Sequence, residues 1–295
     1  MQTNDKLISV VVPFYKGNRY INELLQNLDC LRQTMLDSCG VQVEVVVVND
    51  SPDVPVAYTA PPQLPVTIVE NPQNMGIHGS RIHGIQHARG SWIQLLDQDD
   101  LLIPENYPDF FRSAENGDVV VGNCFYFFGD EKQLLYANSA VMDYLIKPRR
   151  FLKIRNLIAS PGHCLIRKSA FPAYWLENPM RINGSDDYFL WVLMFHGGAR
   201  FHLNDAPVYV HRNSAEGNLS FDLAKMHRSN EEMCALLKAN THYPAKQLHT
   251  LHRSIVFKYL YDTHSLRLLD WLRFGDKVID NAVYKITTRL LQIFR

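Results

Sequence analysis

The stretch "VQVEVVVVND" (41–50) decides the fold. β-branched residues favour a pleated strand. An apolar run that does not alternate with polar residues must be covered on both faces, as strands inside a parallel sheet are. Upstream, "LISVVVP" (7–13) repeats the pattern. Between the two, "NRYINELLQNLDCLRQTML" sets Ile21, Leu24, Leu25, Leu28 and Leu31 at helical spacing. Strand, helix and strand make a β-α-β unit, which predicts a parallel sheet with helices on each side. The pattern continues through a Pro-rich loop at "APPQLP", a short strand "VTIVE" (66–70), a helix over 77–89 and a strand over 92–96. Four strands therefore precede the acidic run "DQDD" (97–100).

That run follows the apolar "WIQLL" and precedes the apolar "LLIPE". Carboxylates among hydrophobic neighbours cost free energy unless something cationic meets them. Open parallel sheets bind ligands beyond the carboxyl ends of their strands. "NDSPD", "ENPQNMG" and "DQDD" all fall there, so one crevice is expected. Hard carboxylate oxygens suit a divalent cation. A solvated turn is the plainer alternative, and Asp100 is assigned to it as a capping or turn residue.

At 295 residues the chain is long enough for one large α/β domain, or a medium domain with an appendage. No stretch approaches the ~20 apolar residues of a membrane span. The opening "MQTNDKLISVVVPFYKG" has no basic segment, long apolar run and cleavage site, so secretion is not expected. Cys30, Cys39, Cys124, Cys164 and Cys234 are odd in number and lack CxxC spacing. This argues against a disulfide framework or zinc cluster and for a reducing, cytoplasmic setting. Net charge is zero, yet 1–220 holds 18 basic and 23 acidic residues against 12 and 7 in 221–295. The basic tail suits an anionic surface or the acidic body itself.

Five segments, "ISVVVPFYKGNRYI", "VEVVVVNDSPD", "NMGIHGSRIHGIQHARGSWIQLLDQDD", "GSDDYFLWVLMFHGG" and "VYVHRNS", occur in this order. Together they resemble the family 2 glycosyltransferases of the GT-A fold, over about 1–215. The resemblance implies an α/β fold: an open, mostly parallel sheet flanked by helices, with a C-terminal helical extension. It places a transferase domain at 1–216, with nucleotide-sugar binding over about 1–104 and the acceptor side over about 105–216, and a helical region at 217–295. The implied activity is inverting, metal-dependent transfer of a hexosyl or N-acetylhexosaminyl group from a UDP-sugar or related donor. The acceptor would be a hydroxyl of a saccharide or lipid-linked saccharide, in cell-surface polysaccharide or glycolipid synthesis.

Carried over residue by residue, Asp97-Gln98-Asp99 matches the family's DXD element. Asp99 would contact Mn²⁺ or Mg²⁺, and Asp97 the ribose or a metal-bound water. Asp50 would accept the N3–H of uracil, with Pro13, Phe14 and Tyr15 bordering the base. Asn49 and Lys16 stand where the family has Asp and Asn. Arg81 would lie near the diphosphate or base, although Ile82 replaces the usual Asn, and Gly84 would let its helix pack closely. His211 is the expected second metal ligand, an imidazole that suits Mn²⁺ better than Mg²⁺. Arg212 could touch phosphate, and His163 lies in the segment before the acceptor site.

Removing the acceptor's proton needs a carboxylate within hydrogen-bond reach. Asp187 is the expected base, in the first turn of a helix capped by Ser185, where the helix dipole keeps it ionised. Asp186 would orient the acceptor. Trp191 would offer a stacking face to a sugar, or else be core. His83 and His87, at i and i+4, have no evident third ligand and read as a solvated face.

A sugar-phosphate nucleotidyltransferase would need a Gly-rich phosphate loop after its first strand, which "VVVPFYKGN" lacks. A non-catalytic nucleotide-sugar binding protein would not need Asp97, Asp99 and Asp187 together. The tail "AVYKITTRLLQIFR" (282–295) sets Val283, Ile286, Leu290 and Phe294 on one stripe, with Lys285, Arg289 and Arg295 elsewhere. It is expected to lie on the inner face of a membrane as a peripheral contact, to pair in a homo-oligomer, or to dock on the body. No nucleic-acid partner is expected.

Overall fold

A computed structural model describes residues 6–115, 117–128, 131–212 and 222–293. They form two compact units. The first takes in the described residues of Met1–Tyr136, Ser160–Phe171 and Ala199–Glu216. It holds β1 (Leu7–Phe14), α1 (Asn18–Cys39), β2 (Gln42–Asn49), β3 (Val66–Glu70), α2 (Gly76–His87) and β4 (Trp92–Leu95). Then follow β5 (Leu101–Leu102), α3 (Tyr107–Arg112), β6 (Val119–Phe128), β7 (Glu131–Leu134), β8 (Cys164–Arg167) and β9 (Phe201–His211). All nine strands join one open sheet in the order β3-β2-β1-β4-β8-β6-β9-β5, with β7 paired to β6.

The pairs β3-β2, β2-β1 and β1-β4 are parallel, so the expected β-α-β half is present. Beyond β4 the sheet is mixed: β8 runs antiparallel to β4 and β6, β9 runs parallel to β6, and β5 is antiparallel to β9. The valine runs show why the strands do not alternate. Val10 and Val12 of β1 and Val45 and Val47 of β2 share a core with Leu24, Leu25 and Leu28 of α1. Val11 and Val48, on the opposite face, meet α2 at Gly84, where an added Cβ would stand 2.3 Å from Val11 and 3.0 Å from Val48. Each such side chain contributes roughly 1.5–3 kcal/mol when fully buried. α1 ends at Gly40, whose φ of 63° allows its N–H and that of Val41 to cap the last carbonyls and turn the chain into β2.

The segment "HLNDAPVYVHR" reads as a loop followed by a strand, but all of it up to His211 belongs to β9. Pro207 is tolerated because it lies opposite Asn123, where the β6-β9 register shifts and the ladder is already interrupted.

The second unit gathers the described residues of Ala137–Ala159, Pro172–Gly198 and Gly217–Arg295. Its helices are α4 (Ser139–Leu145), α5 (Pro148–Lys153), α6 (Ala173–Glu177), α7 (Asp186–His196), α8 (Leu223–Ala239), α9 (Ala245–Asp262), α10 (Leu268–Arg273) and α11 (Gly275–Ile293). Among the described residues no helix is long and apolar enough to cross a membrane. The expected boundary at 216, Phe294 of the tail stripe and Arg295 lie outside the described residues.

Candidate active site

Where β4 ends, Leu96 still donates to Val11 of β1, and the chain then turns over Asp97–Asp100 with Asp100 N–H on the Asp97 carbonyl at 3.2 Å. Every residue of this turn is tied down. Asp97 accepts from Arg81 of α2 at 2.7 Å, and the arginine side chain is only 5% exposed against 34% for the carboxylate. A buried guanidinium needs such a partner. The Gln98 amide clamps the β1 loop, accepting from Tyr15 N–H at 2.9 Å and donating to the Tyr15 carbonyl at 3.2 Å. Sequence reading missed Gln98, since the middle residue of such a motif carries no chemistry of its own.

Asp100 is the main correction. It is 1% exposed, so it is no solvated turn residue. Its carboxylate accepts from the Tyr209 hydroxyl, from Arg212 N–H at 2.7 Å and from His211 Nδ1 at 3.2 Å. Tyr209 lies 3.1 Å from Ser160 Oγ, and Arg212 Nε donates to the Asp99 carbonyl while its Nη1 reaches Glu23 at 2.7 Å. Burial pushes the Asp100 carboxyl up, against the pull of His211 and Tyr209. Burial alone would lower His211, but its bond to Asp100 and the charges of Asp100, Asp97 and Asp99 raise it. In a strand, Tyr209 and His211 point to one face. Both need a polar partner there, and the antiparallel β5-β9 pair brings Asp100 to that face.

Contact through Nδ1 leaves Nε2 as the His211 ring nitrogen with no protein partner among the described residues. This carboxylate–histidine pairing is how metal-binding imidazoles are fixed in one tautomer. Among the described residues no three His, Cys, Asp or Glu side chains converge as a closed cage. A carboxylate oxygen and an imidazole nitrogen are donor types that a divalent cation accepts.

The residues expected to meet the nucleotide are also held in place. Asp50 is 5% exposed and accepts from Met75 N–H at 2.6 Å, Gly76 N–H at 2.9 Å and Asn71 Nδ2 at 2.7 Å, which seats the start of α2. Asn49, where the family has Asp, bonds Glu70 at 2.8 Å and the Val54 carbonyl at 3.0 Å. Pro13 is half-buried, Phe14 is buried, and Tyr15 is 47% exposed, a ring face open at the end of β1. Lys16 has φ of 51°. This left-handed conformation costs an ordinary L-residue roughly 1–2 kcal/mol and asparagine less, a physical reason for the family's Asn here. His83 bonds Asn71 at 2.7 Å, and His87 bonds the His83 carbonyl at 2.9 Å. His163 is fully buried on the Gly122 carbonyl at 2.8 Å, and burial pushes its imidazole down to about 4.

The other predicted residues lie in the second unit. Asp187, in the first turn of α7, is half-buried and accepts from Asn156 Nδ2 at 2.9 Å and Tyr188 N–H at 2.6 Å. Asp186 is 4% exposed, and its carbonyl accepts from Trp175 Nε1 at 2.8 Å. Ser185 stands at the helix start but does not cap it, because its hydroxyl donates to Asn230 at 3.0 Å. Trp191 is 0% exposed, so no face of it is open to a sugar. Eight of the eleven α7 residues are buried, which makes it a helix covered nearly all round rather than one with a solvent face.

A turn of carboxylates thus stands at the end of the parallel half-sheet, with the His211 imidazole beside it. The sequence profile described as "Glycosyl transferase family 2" matches residues 9–175, and the chain belongs to that family. An uncharacterized glycosyltransferase of Haemophilus influenzae is 31% identical over 221 residues, covering 73% of this chain and 72% of that protein. The succinoglycan biosynthesis protein ExoO of Rhizobium meliloti is 29% identical over 192 residues, covering 61% of this chain and 55% of its own length. The chain thus spans about half of ExoO. Two solved structures share the fold. S. aureus TarS 1–349 in complex with UDP-GlcNAc has a TM-score of 0.59 at 15% identity, with 94% of this chain and 81% of that chain covered. The mannosyltransferase PcManGT from Pyrobaculum calidifontis, in complex with GDP-Man and Mn²⁺, has a TM-score of 0.53 at 16% identity, with 98% and 84% covered.

Proposed function

We propose that the protein is an inverting glycosyltransferase that uses a UDP-sugar and a divalent cation, Mn²⁺ or Mg²⁺, to glycosylate a saccharide or lipid-linked saccharide. The observation that carries this reading is the Asp97–Asp100 turn, in which Arg81, Tyr15, Tyr209, His211 and Arg212 all bind one corner of the sheet. UDP is favoured by the UDP-GlcNAc complex of TarS and by Asp50, and Mn²⁺ by the PcManGT complex and the imidazole donor. A carboxylate has about four acceptor positions, so the three bonds to Asp50 leave capacity for one uracil N3–H. The exposed Tyr15 ring borders the base with Pro13.

Asp99 and His211 are the residues that would hold the cation, which supplies charge neutralisation for the diphosphate. Asp100, with Tyr209 behind it, positions His211 so that Nε2 and not Nδ1 is presented. Arg81 orients the Asp97 carboxylate toward the ribose. Asp187 takes the proton of the acceptor hydroxyl. As that oxygen bonds the anomeric carbon, the bond from this carbon to the phosphate oxygen breaks and its electron pair leaves with the nucleoside diphosphate. Asn156 orients the Asp187 carboxylate, and the α7 dipole keeps it charged before the step. Asp186 helps to set the first turn of α7 from which the acceptor is met.

ExoO makes succinoglycan by its name, and polysaccharide or glycolipid assembly, with a hexosyl or N-acetylhexosaminyl donor, is the role assigned here. The five free cysteines support a reducing, cytoplasmic setting for it. The test is a panel of nucleotide sugars incubated with Mn²⁺, with released sugar and nucleoside diphosphate measured. One UDP-sugar should turn over, and chelator should stop it. Turnover that persists undiminished in chelator contradicts the metal assignment, and no turnover of any nucleotide sugar, with or without acceptors, contradicts the whole.

A further inference from the structure

We propose that α10 and the outward face of α11 form a surface that docks on an anionic lipid bilayer. Among the described residues sixteen large hydrophobic side chains are exposed, and nine of them lie between 268 and 293. On α10, Leu268, Leu269 and Leu272 are 82%, 76% and 79% exposed, with Trp271 half-exposed beside them. On α11, Ile279, Val283, Ile286, Leu290 and Ile293 are all exposed. Their spacing of four, three, four and three residues puts them on one stripe of the helix. So many large apolar side chains exposed on two neighbouring helices are unusual on a monomer and mark a contact.

Charge selects the occupant. Residues 267–293 contain five basic and three acidic side chains. The three carboxylates are engaged by the protein itself. Asp276 pairs with Arg253 at 2.6 Å, Asp280 with Lys153 at 2.9 Å, and Asp270 accepts from the Arg267 backbone at 3.0 Å. Arg273, Lys285 and Arg289 are exposed and have no carboxylate partner among the described residues. An apolar stripe flanked by uncompensated cations, with a tryptophan at its margin, is the make-up of a helix lying in a lipid interface. A second copy of the same face would bring its arginines and lysine against their equivalents, so self-pairing is disfavoured. The sequence alone points to 282–295, whereas the most exposed leucines belong to α10, where a six-residue helix gives periodicity too little length to show.

The inference is independent of which sugar is moved, and its readout needs no turnover. Full-length protein is sedimented with phosphatidylcholine vesicles, with and without phosphatidylglycerol. It should pellet with the anionic vesicles and be released as salt is raised. Combined Leu268→Ser, Leu269→Ser and Leu272→Ser should lower partition about tenfold or more while circular dichroism stays unchanged, since the side chains are already exposed. Lys285→Glu with Arg289→Glu should remove the preference for anionic over neutral vesicles. Wild-type protein that stays in the supernatant, or a triple variant that partitions like wild type, overturns the proposal. So does a solution dimer that the leucine substitutions dissolve in the absence of vesicle binding, which would assign the face to a second copy.

Discussion

The two units hold their acidic residues in different ways. In the sheet unit, the carboxylates of Asp97 and Asp100 at the end of β4 meet a cation or a hydroxyl from another strand or helix, so the turn is built before any ligand arrives. In the helical unit, Asp187 accepts from the Asn156 amide and from the Tyr188 N–H of its own first turn. A group that must hold charge without moving profits from ion pairs and buried partners. A base that must accept a proton profits from weaker, neutral contacts. The proposed function divides the work the same way, with donor binding in the first unit and proton removal in the second.

The largest effect should come from breaking that division at Asp187. Asp187→Asn keeps the Asn156 contact geometry but not the basicity. It should cut transfer by roughly 10²–10⁴ in kcat and leave UDP binding at the wild-type Kd, measured by calorimetry. A comparable loss of UDP affinity would show that the division is false.

Next in size is a stability effect inside the sheet unit. His163 titrates near 6.5 when unfolded and at about 4 when folded, because burial penalises its charge. Below 6.5 the unfolded chain takes a proton that the folded one refuses, so stability is full above that pH and falls as pH drops towards 4. The loss is roughly 3 kcal/mol over this window. Urea unfolding of His163→Gln should show a flatter pH dependence there. Glu44 adds in the same direction at lower pH: burial pushes it up, but bonds from Ser9 and Arg89 hold it below the usual carboxylate range.

Asp100→Asn sharpens the comparison at the metal side. It should weaken Mn²⁺ binding by about 10- to 100-fold, read by electron paramagnetic resonance of free Mn²⁺, through a misoriented His211. Tyr209→Phe should move affinity less, and UDP binding without metal should be unaffected by either. The smallest effect is a packing one. Gly84→Val would drive a side chain into Val11 and Val48 and should cost about 1–3 kcal/mol in chemical denaturation, with no change in the site's metal preference.

Legibility followed the same line. While the close approach at Gly84 came from the family resemblance, the valine runs and the α1 periodicity were readable, because strand and helix of the β-α-β unit are neighbours in sequence as well as in space. So was the acidic turn, whose residues are consecutive. The role of Asp100 was not, since its partners Tyr209, His211 and Arg212 arrive from more than a hundred residues away. The helical unit was the hardest to read: three separated segments compose it, and no local period announces that 137–159 and 172–198 pack with the tail. Trp191 shows the limit at one residue, as a tryptophan at helical spacing looks the same whether it faces a sugar or a core, and here it is core.

The most direct measurement is Mn²⁺-dependent UDP binding by isothermal calorimetry, on wild type and Asp99→Ala. Wild type should bind UDP more tightly with Mn²⁺ than with chelator, and Asp99→Ala should lose about tenfold or more of that gain while keeping its metal-free affinity. UDP affinity that is equal with Mn²⁺ and with chelator, or a metal-dependent gain that survives Asp99→Ala, would contradict the assignment of this acidic corner to the donor's diphosphate.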